Sequence, residues 1–337
     1  MDKQILTDHI AGTLAGMVLG DAMGVPGELW PREKLRERFH DITTFLDGPA
    51  DNIVACYFKA GHYTDDSSQA FVILDDLLRY GRVPEVKVLA SDLIAWVKSM
   101  NGFEINLLGP SSKAALLAHV NGEDYTRYTR TALTNGAAMR IAPVGCFFNP
   151  SEIASLTRTV AKVSSVTHAT DVALAGASMV ATAVCCGLYG LSRDETCDRI
   201  FEAYARALPL GERTWAASIQ ARFKLALEKL AAQPDEEEFS LWVYEVLGTG
   251  TMTSESVSAA LAIAFFSDDV HQLAHLCANL GGDTDTIGAM ACAMAGSRVG
   301  ISAFKSEVID YLEKTNGLNF RALANDILTA RDTFVKE

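Results

Sequence analysis

Three short segments carry more carboxylate and hydroxyl oxygen than a loop or a helix start requires. They are Gly20-Asp21-Ala22-Met23-Gly24-Val25-Pro26-Gly27-Glu28, Thr64-Asp65-Asp66-Ser67 and Gly281-Gly282-Asp283-Thr284-Asp285-Thr286. A single Asp, Ser or Thr ahead of a helix is ordinarily its N-cap, favoured by the helix dipole. A cap uses one acceptor, whereas the second and third segments each set two carboxylates beside a threonine. Neighbouring carboxylates repel, and they stay ionised together only when water or a cation screens them. Oxygen ligands without His or Cys select a hard cation such as Mg²⁺, or Mn²⁺. Asp65, Asp66, Asp283 and Asp285 supply four carboxylates, and Thr64 and Thr286 supply neutral hydroxyls. That set suits two cations sharing a bridging Asp at about 3.5–4 Å. A site drawing on residues 64–66 and 283–286 ties distant parts of the chain into one domain spanning 1–337.

The elements that must position these groups read as helices. The chain has 337 residues, 29 of them basic and 42 acidic, for a net charge of −13. With 49% hydrophobic and 21% charged residues it has the balance of a folded globular protein. The acidity speaks against an extended nucleic-acid surface, which needs a basic face, and against docking on anionic lipid. Seven cysteines without a CxxC pair fit buried thiols in a reducing compartment. The opening MDKQILTDHI is too polar for a secretory signal. The uncharged run Val172–Gly190 is built mainly of Ala, Gly, Ser and Thr. It reads as a closely packed core helix rather than a membrane span. A cytoplasmic location is expected.

Apolar residues at 71, 74, 77 and 78 predict a helix over Ser68–Tyr80, and Glu85–Met100 repeats the spacing. Ser192 with Glu195 predicts a capping box ahead of another. Further helices are expected over Arg213–Ala232, Ser254–Phe266, Asp268–Asn279, Asp285–Val299, Ser302–Glu313 and Asn319–Thr333. Only Ile42–Leu46 and Ile53–Phe58 suggest strands. The fold class expected is therefore all-α: a compact, single-domain bundle of about a dozen helices.

In their order and spacing the segments resemble the ADP-ribosylglycohydrolase family over roughly residues 10–300. The family's GDAxG matches Gly20–Gly24, a following acidic residue matches Glu28, TDDT matches Thr64–Ser67, and GGDTDT matches Gly281–Thr286. An NGxxMR-x-xP segment is matched by Asn135–Pro143, and a Thr-His pair by Thr167-His168. Ser67 departs from the usual Thr but keeps the hydroxyl. The resemblance implies an all-α hydrolase holding two Mg²⁺ or Mn²⁺ ions and releasing ADP-ribose from a protein side chain or small molecule. It implies metal ligands at Thr64, Asp65, Asp66, Asp283, Asp285 and Thr286. Catalytic roles are expected at Glu28, Asp66 and Asp285. His168, otherwise an ordinary satisfied core histidine, becomes a substrate contact.

Hydrolysis of a ribosyl bond passes through an oxocarbenium-like state, so a carboxylate near the anomeric carbon and an activated water are both useful. A pyrophosphate bound by an acidic protein needs backbone N–H groups and helix starts, which places Ser111, Ser112, Asn135 and Gly136 as substrate contacts. Arg140 serves either a phosphate or a carboxylate. Two other motifs carry less weight. His271 and His275 have zinc-helix spacing but lack the glutamate after the first His. Asp283-Thr284-Asp285-Thr286 resembles a phosphatase nucleophile segment but follows a helical pattern rather than a buried strand. The alternatives to an ADP-ribosyl hydrolase are a metal-dependent N-ribosidase for a smaller nucleoside-like substrate, and a non-catalytic binding protein. The last predicts that an acidic ligand has been replaced, and all six oxygen ligands are present.

Overall fold

The computed structural model describes residues 2–337. Among the described residues seventeen α-helices, short 3-10 turns and a π-helical turn at Val243–Leu247 make up the regular structure, with no β-sheet, only isolated bridges. The number exceeds the dozen expected because several helices are too short to show a helical period, such as Thr126–Thr129 and Ala142–Gly145. Neither suggested strand forms, and the second contains a 3-10 turn at Ala55–Tyr57. The helix expected from Arg213 begins only at Ile219. The residues ahead of it are held extended by Asp171, which accepts hydrogen bonds from the Thr214 amide and hydroxyl. The capping box at Ser192 and Glu195 is present with both of its hydrogen bonds.

Two antiparallel helices form the axis of the molecule, Lys3–Gly24 and Thr284–Val299. The first carries glycine at every fourth position, Gly12, Gly16, Gly20 and Gly24, which places all four on one face. Each lies against the backbone of the second helix, at Gly296, Cys292, Gly288 and Asp285 in turn. Close approach of the axes follows from the missing side chains. Its functional consequence is at one end. There Asp21 and Gly24 meet the start of the second helix, where the Thr284 hydroxyl donates to the Gly24 carbonyl at 2.7 Å.

The Asp171–Leu188 helix packs beside this pair with every residue from Val172 to Leu188 buried. Lys3–Gly27 and Asp171–Leu188 are long and apolar enough to cross a membrane by composition, but both lie buried within the fold. All seven cysteines are free.

Alanine in place of a helix glycine is normally worth about 1 kcal/mol of stability. At Gly20 a methyl group would collide with the Gly288 carbonyl. Overpacking of this kind costs about 1–3 kcal/mol or more. Gly20→Ala is therefore expected to lower the thermal midpoint by roughly 2–10 °C. A raised midpoint in a calorimetric scan would show that the helices are not in backbone contact there.

Candidate functional site

The three acidic segments meet around one cleft of about 400 Å³. Its walls include Glu28, Asp65, Asp66, Asp283, Asp285 and Thr286. Each segment stands at a helix end. Asp65 and Asp66 begin the Asp65–Tyr80 helix, and Asp285 lies in the first turn of Thr284–Val299. Exposed amide groups at helix starts lower the cost of gathering negative charge there.

Local hydrogen bonds fix each segment. Asp21, fully buried, accepts from the Thr64 amide at 2.9 Å, the Ser67 amide at 3.1 Å and the Ser67 hydroxyl at 2.6 Å. The first helix thus caps the second acidic segment from outside it, and the hydroxyl kept at position 67 has a stated task. Gly281 and Gly282 have φ of +87° and +86°, where a side chain is disfavoured. Their turn pairs with the strand-like residues after Glu28: Leu29 N–H donates to the Gly282 carbonyl at 2.7 Å, and Gly282 N–H donates to Trp30 at 2.8 Å. That pairing brings Glu28 beside the Asp283 segment. Asp283 also accepts from the Asn135 amide side chain at 2.5 Å. The Thr286 hydroxyl faces both Asp66 and Asp283.

Electrostatically the site is strained without a counter-ion. Burial is the first cause that raises every one of its carboxyl groups, and repulsion between them adds to it at Glu28, Asp65, Asp66 and Asp285. Burial pushes Asp65 up to about 8 and Asp283 to about 6, the latter restrained by Asn135 and Thr286. Asp21 rises to about 6, held down by its bonds from Ser67 and Thr64. Asp66 Oδ2 and Asp285 Oδ1 are buried and have no hydrogen-bond partner. Unpartnered carboxylate oxygens among like charges are what a hard cation would satisfy, and the donor set is oxygen only. Among the described residues no three His, Cys, Asp or Glu side chains are drawn in tightly enough to close on one ion as they stand. The fit therefore rests on donor chemistry and on the two orphaned oxygens.

The residues expected to meet substrate divide in their placement. Ser112, Asn135 and Gly136 line the cleft. Ser112 sits in the first turn of the Pro110–Asn121 helix, and Asn135 opens a 3-10 turn pinned by its amide to the Thr251 carbonyl. Three expected residues stand back from it. His168 is fully buried, with Nε2 3.0 Å from the Thr134 hydroxyl and Nδ1 2.8 Å from that of Thr167. Both ring nitrogens are engaged, so the substrate contact expected of it is corrected to a role one layer behind the Gly136 turn. Ser111 lies beside Thr134, accepting from its hydroxyl at 3.0 Å. The Thr64 hydroxyl is turned to its own helix, accepting from the Asp66 amide at 3.3 Å. Arg140 serves neither of its two expected partners directly: it is fully buried and bonds Gln69 and Thr167. The zinc-like pair also separates, since His271 accepts from the Lys305 amide while His275 lies between Asp41 and Glu236.

Several lining residues escaped the sequence reading. Lys113 is the only basic residue lining the cleft among the described residues, and Asn106, Leu107 and Leu108 line it too. Lys113 lies one helical turn beyond Gly109, a spacing that signals a shared face with the helix start.

Comparison with known proteins identifies the family. Residues 2–334 match the family model for ADP-ribosylglycohydrolase. The chain belongs to the ADP-ribosylglycohydrolase family. Within it, the uncharacterized protein YegU of Escherichia coli K12 is 38% identical over 96% of this chain and 98% of its own length. ADP-ribosylarginine hydrolase Tri1 of Pseudomonas putida GB-1 is 26% identical, covering 90% of this chain and 74% of its own. Human ADP-ribosylhydrolase ARH3 is 24% identical over 86% of this chain and 85% of its own. A solved ADP-ribosylglycohydrolase-related protein superposes with a TM-score of 0.72 at 21% identity, covering 97% of this chain and 99% of that one. The fold is that of the family, and the family is one of hydrolases.

The raised carboxyl groups give the metal-free protein a signed pH response. A folded-state value above the ordinary 3.8 means that ionisation costs stability, so stability falls as pH climbs through about 6 for Asp283 and about 8 for Asp65. The thermal midpoint in EDTA is expected to be higher at pH 5.5 than at pH 8, and millimolar Mg²⁺ to flatten the difference. A midpoint unmoved by pH in EDTA would contradict the clustering.

Proposed function

We propose that the protein hydrolyses the ribosyl bond of an ADP-ribosylated side chain or small molecule, releasing ADP-ribose, with two Mg²⁺ or Mn²⁺ ions in the acidic cleft. The observation that carries this is the meeting of Asp66 and Asp285, from opposite ends of the chain, with buried oxygens that nothing in the protein satisfies. Asp65, Asp66, Asp283, Asp285 and Thr286 are the residues that would hold the ions, with Thr64 contributing through its place at the segment's start. When bound, the ions would supply charge for ribose hydroxyls and a lowered pKa for a water.

The chain's own groups account for the rest. Glu28 lines the cleft beside Asp283, and its carboxyl is held well above the ordinary range by burial and then by Asp283, Asp65 and Asp21. A carboxyl group so placed can exchange a proton with a water or a leaving atom. Positive charge developing on the sugar is favoured by the surrounding carboxylates. Ser112, Asn135 and Gly136, at or beside helix starts, face the cleft where an anionic phosphate needs N–H and O–H donors. Lys113 adds the one positive charge on that wall.

The relatives named for ADP-ribosyl hydrolysis support this reading over a nucleosidase. So does the retention of all six oxygen-bearing residues expected as ligands, against a binding protein that has lost its chemistry. The test is product analysis with ADP-ribosyl-arginine, ADP-ribosyl-serine and simple nucleosides, each with Mg²⁺, Mn²⁺ or EDTA. Release of ADP-ribose from a conjugate, abolished by EDTA, is expected; cleavage of nucleosides alone would overturn it. Asp285→Ala is expected to remove turnover while circular dichroism stays that of a folded helical protein, and retained activity would reject its role. Glu28→Gln is expected to lower kcat by about 10²–10⁴-fold, the range for a general acid or base, with ADP-ribose binding kept.

A further inference from the structure

Arg140 is the largest fully buried side chain that the proposed chemistry leaves unused. Its two hydrogen-bond partners are neutral: one terminal nitrogen donates to Gln69 Oε1 at 2.5 Å, the other to Thr167 Oγ1 at 2.5 Å, and Nε has none. A buried cation among neutral groups is costly unless negative charge lies within reach. Here it does, because Gln69 stands between Arg140 and Asp65, to which its Nε2 donates at 2.8 Å.

A guanidinium can only donate, and this fixes the sense of the first bond on each side of it. On one side, Gln69 must turn its oxygen to Arg140 and its NH₂ to Asp65. On the other, Thr167 Oγ1 accepts from Arg140 and has His168 Nδ1, 2.8 Å away, as its other hydrogen-bond partner, so its own buried proton is satisfied when it is directed there. His168 then carries its proton on Nε2 and donates to Thr134 Oγ1 at 3.0 Å, and Thr134 donates to Ser111 Oγ at 3.0 Å. Ser111 ends the series in the first turn of the helix bordering the cleft, with its proton uncommitted.

We propose that Arg140 is a positioning residue for both walls of the cleft: through Gln69 it aims the Asp65 carboxylate, and through Thr167 it locks His168 as the neutral Nε2–H tautomer behind the Gly136 turn. The first arm rests on the metal reading above; the second does not. Neither Gln69 nor Arg140 touches the reacting atoms.

Two measurements test the arms separately. Long-range ¹H–¹⁵N correlation spectra of the wild-type protein, with His168 assigned by its loss in His168→Gln, are expected to show the neutral Nε2–H form from pH 5 to 8. Thr167→Val is expected to mix the tautomers. An Nδ1–H or a charged ring in the wild type would overturn the second arm without bearing on metal. For the first arm, Mn²⁺ binding is measured by titration calorimetry on wild type, Gln69→Leu and Gln69→Asn, with Asp285→Asn as the reference for lost binding. Removing a hydrogen-bond partner of a ligand typically costs roughly 10–100-fold in metal affinity. That loss is expected for both Gln69 variants, with kcat restored by excess Mn²⁺. Wild-type binding with Gln69 variants within two-fold of it rejects the Arg140 arm alone. No Mn²⁺ binding by the wild type rejects the metal reading itself. If Gln69→Leu fails to fold, Gln69→Asn carries the comparison.

Discussion

Like charge gathered out of water governs this structure. Burial raises the carboxyl groups of Asp21, Glu28, Asp65, Asp66, Asp283 and Asp285, and repulsion from other members of the set adds to it at Glu28, Asp65, Asp66 and Asp285. Two unit charges 4 Å apart repel by about 4 kcal/mol at the effective dielectric of a protein near its surface. A chain with a net charge of −13 gains nothing in general by concentrating acid further. The arrangement therefore has to be held by the fold, and it has to be answered by something cationic. Helix starts answer part of it, through amides at Asp65, Asp66 and Asp285. Arg140 answers part of it from behind Asp65. The orphaned oxygens of Asp66 and Asp285 mark what is left.

Helix packing sets the arrangement, and the local hydrogen bonds fix each segment within it. Glycine on every fourth residue of the first helix lets its backbone rest on the partner helix, and the register of that contact sets Gly24 against Asp285. The same register places Asp21 where it caps Thr64 and Ser67. A shift of one turn between the axes, about 5.4 Å, would separate all three acidic segments. Core packing and site assembly are thus one constraint, and the buried Gly, Ala and Ser surfaces are as functional as the carboxylates.

Residue type made the acid clusters legible in the sequence, because an oxygen-rich pair beside a helix start exceeds what capping needs. Helical periodicity carried most elements, including the Ser192 box. Depth was not legible. His168 and Ser112 lie in similar small polar surroundings along the chain, yet one is sealed between two threonines and the other faces the cleft. Nor did spacing show that Asp21 acts on its neighbours instead of on a ligand, since its partners lie 43 and 46 residues away. Gln69 was readable in principle, one helical turn after Asp65 on the same face, but only the placement of Arg140 shows why its amide must donate. The loop at Gly281-Gly282 was recognisable as a turn, whereas its pairing with Leu29 and Trp30, which brings in Glu28, depends on tertiary contact alone.

Oxygens from both ends of the chain are proposed to close around dications. Anomalous diffraction at the manganese edge, from crystals grown with Mn²⁺, addresses this without an assay of turnover. Two peaks in the space bounded by Asp65, Asp66, Asp283, Asp285 and Thr286 are the result expected. An occupied manganese site elsewhere and no density between Asp66 and Asp285 would contradict the account.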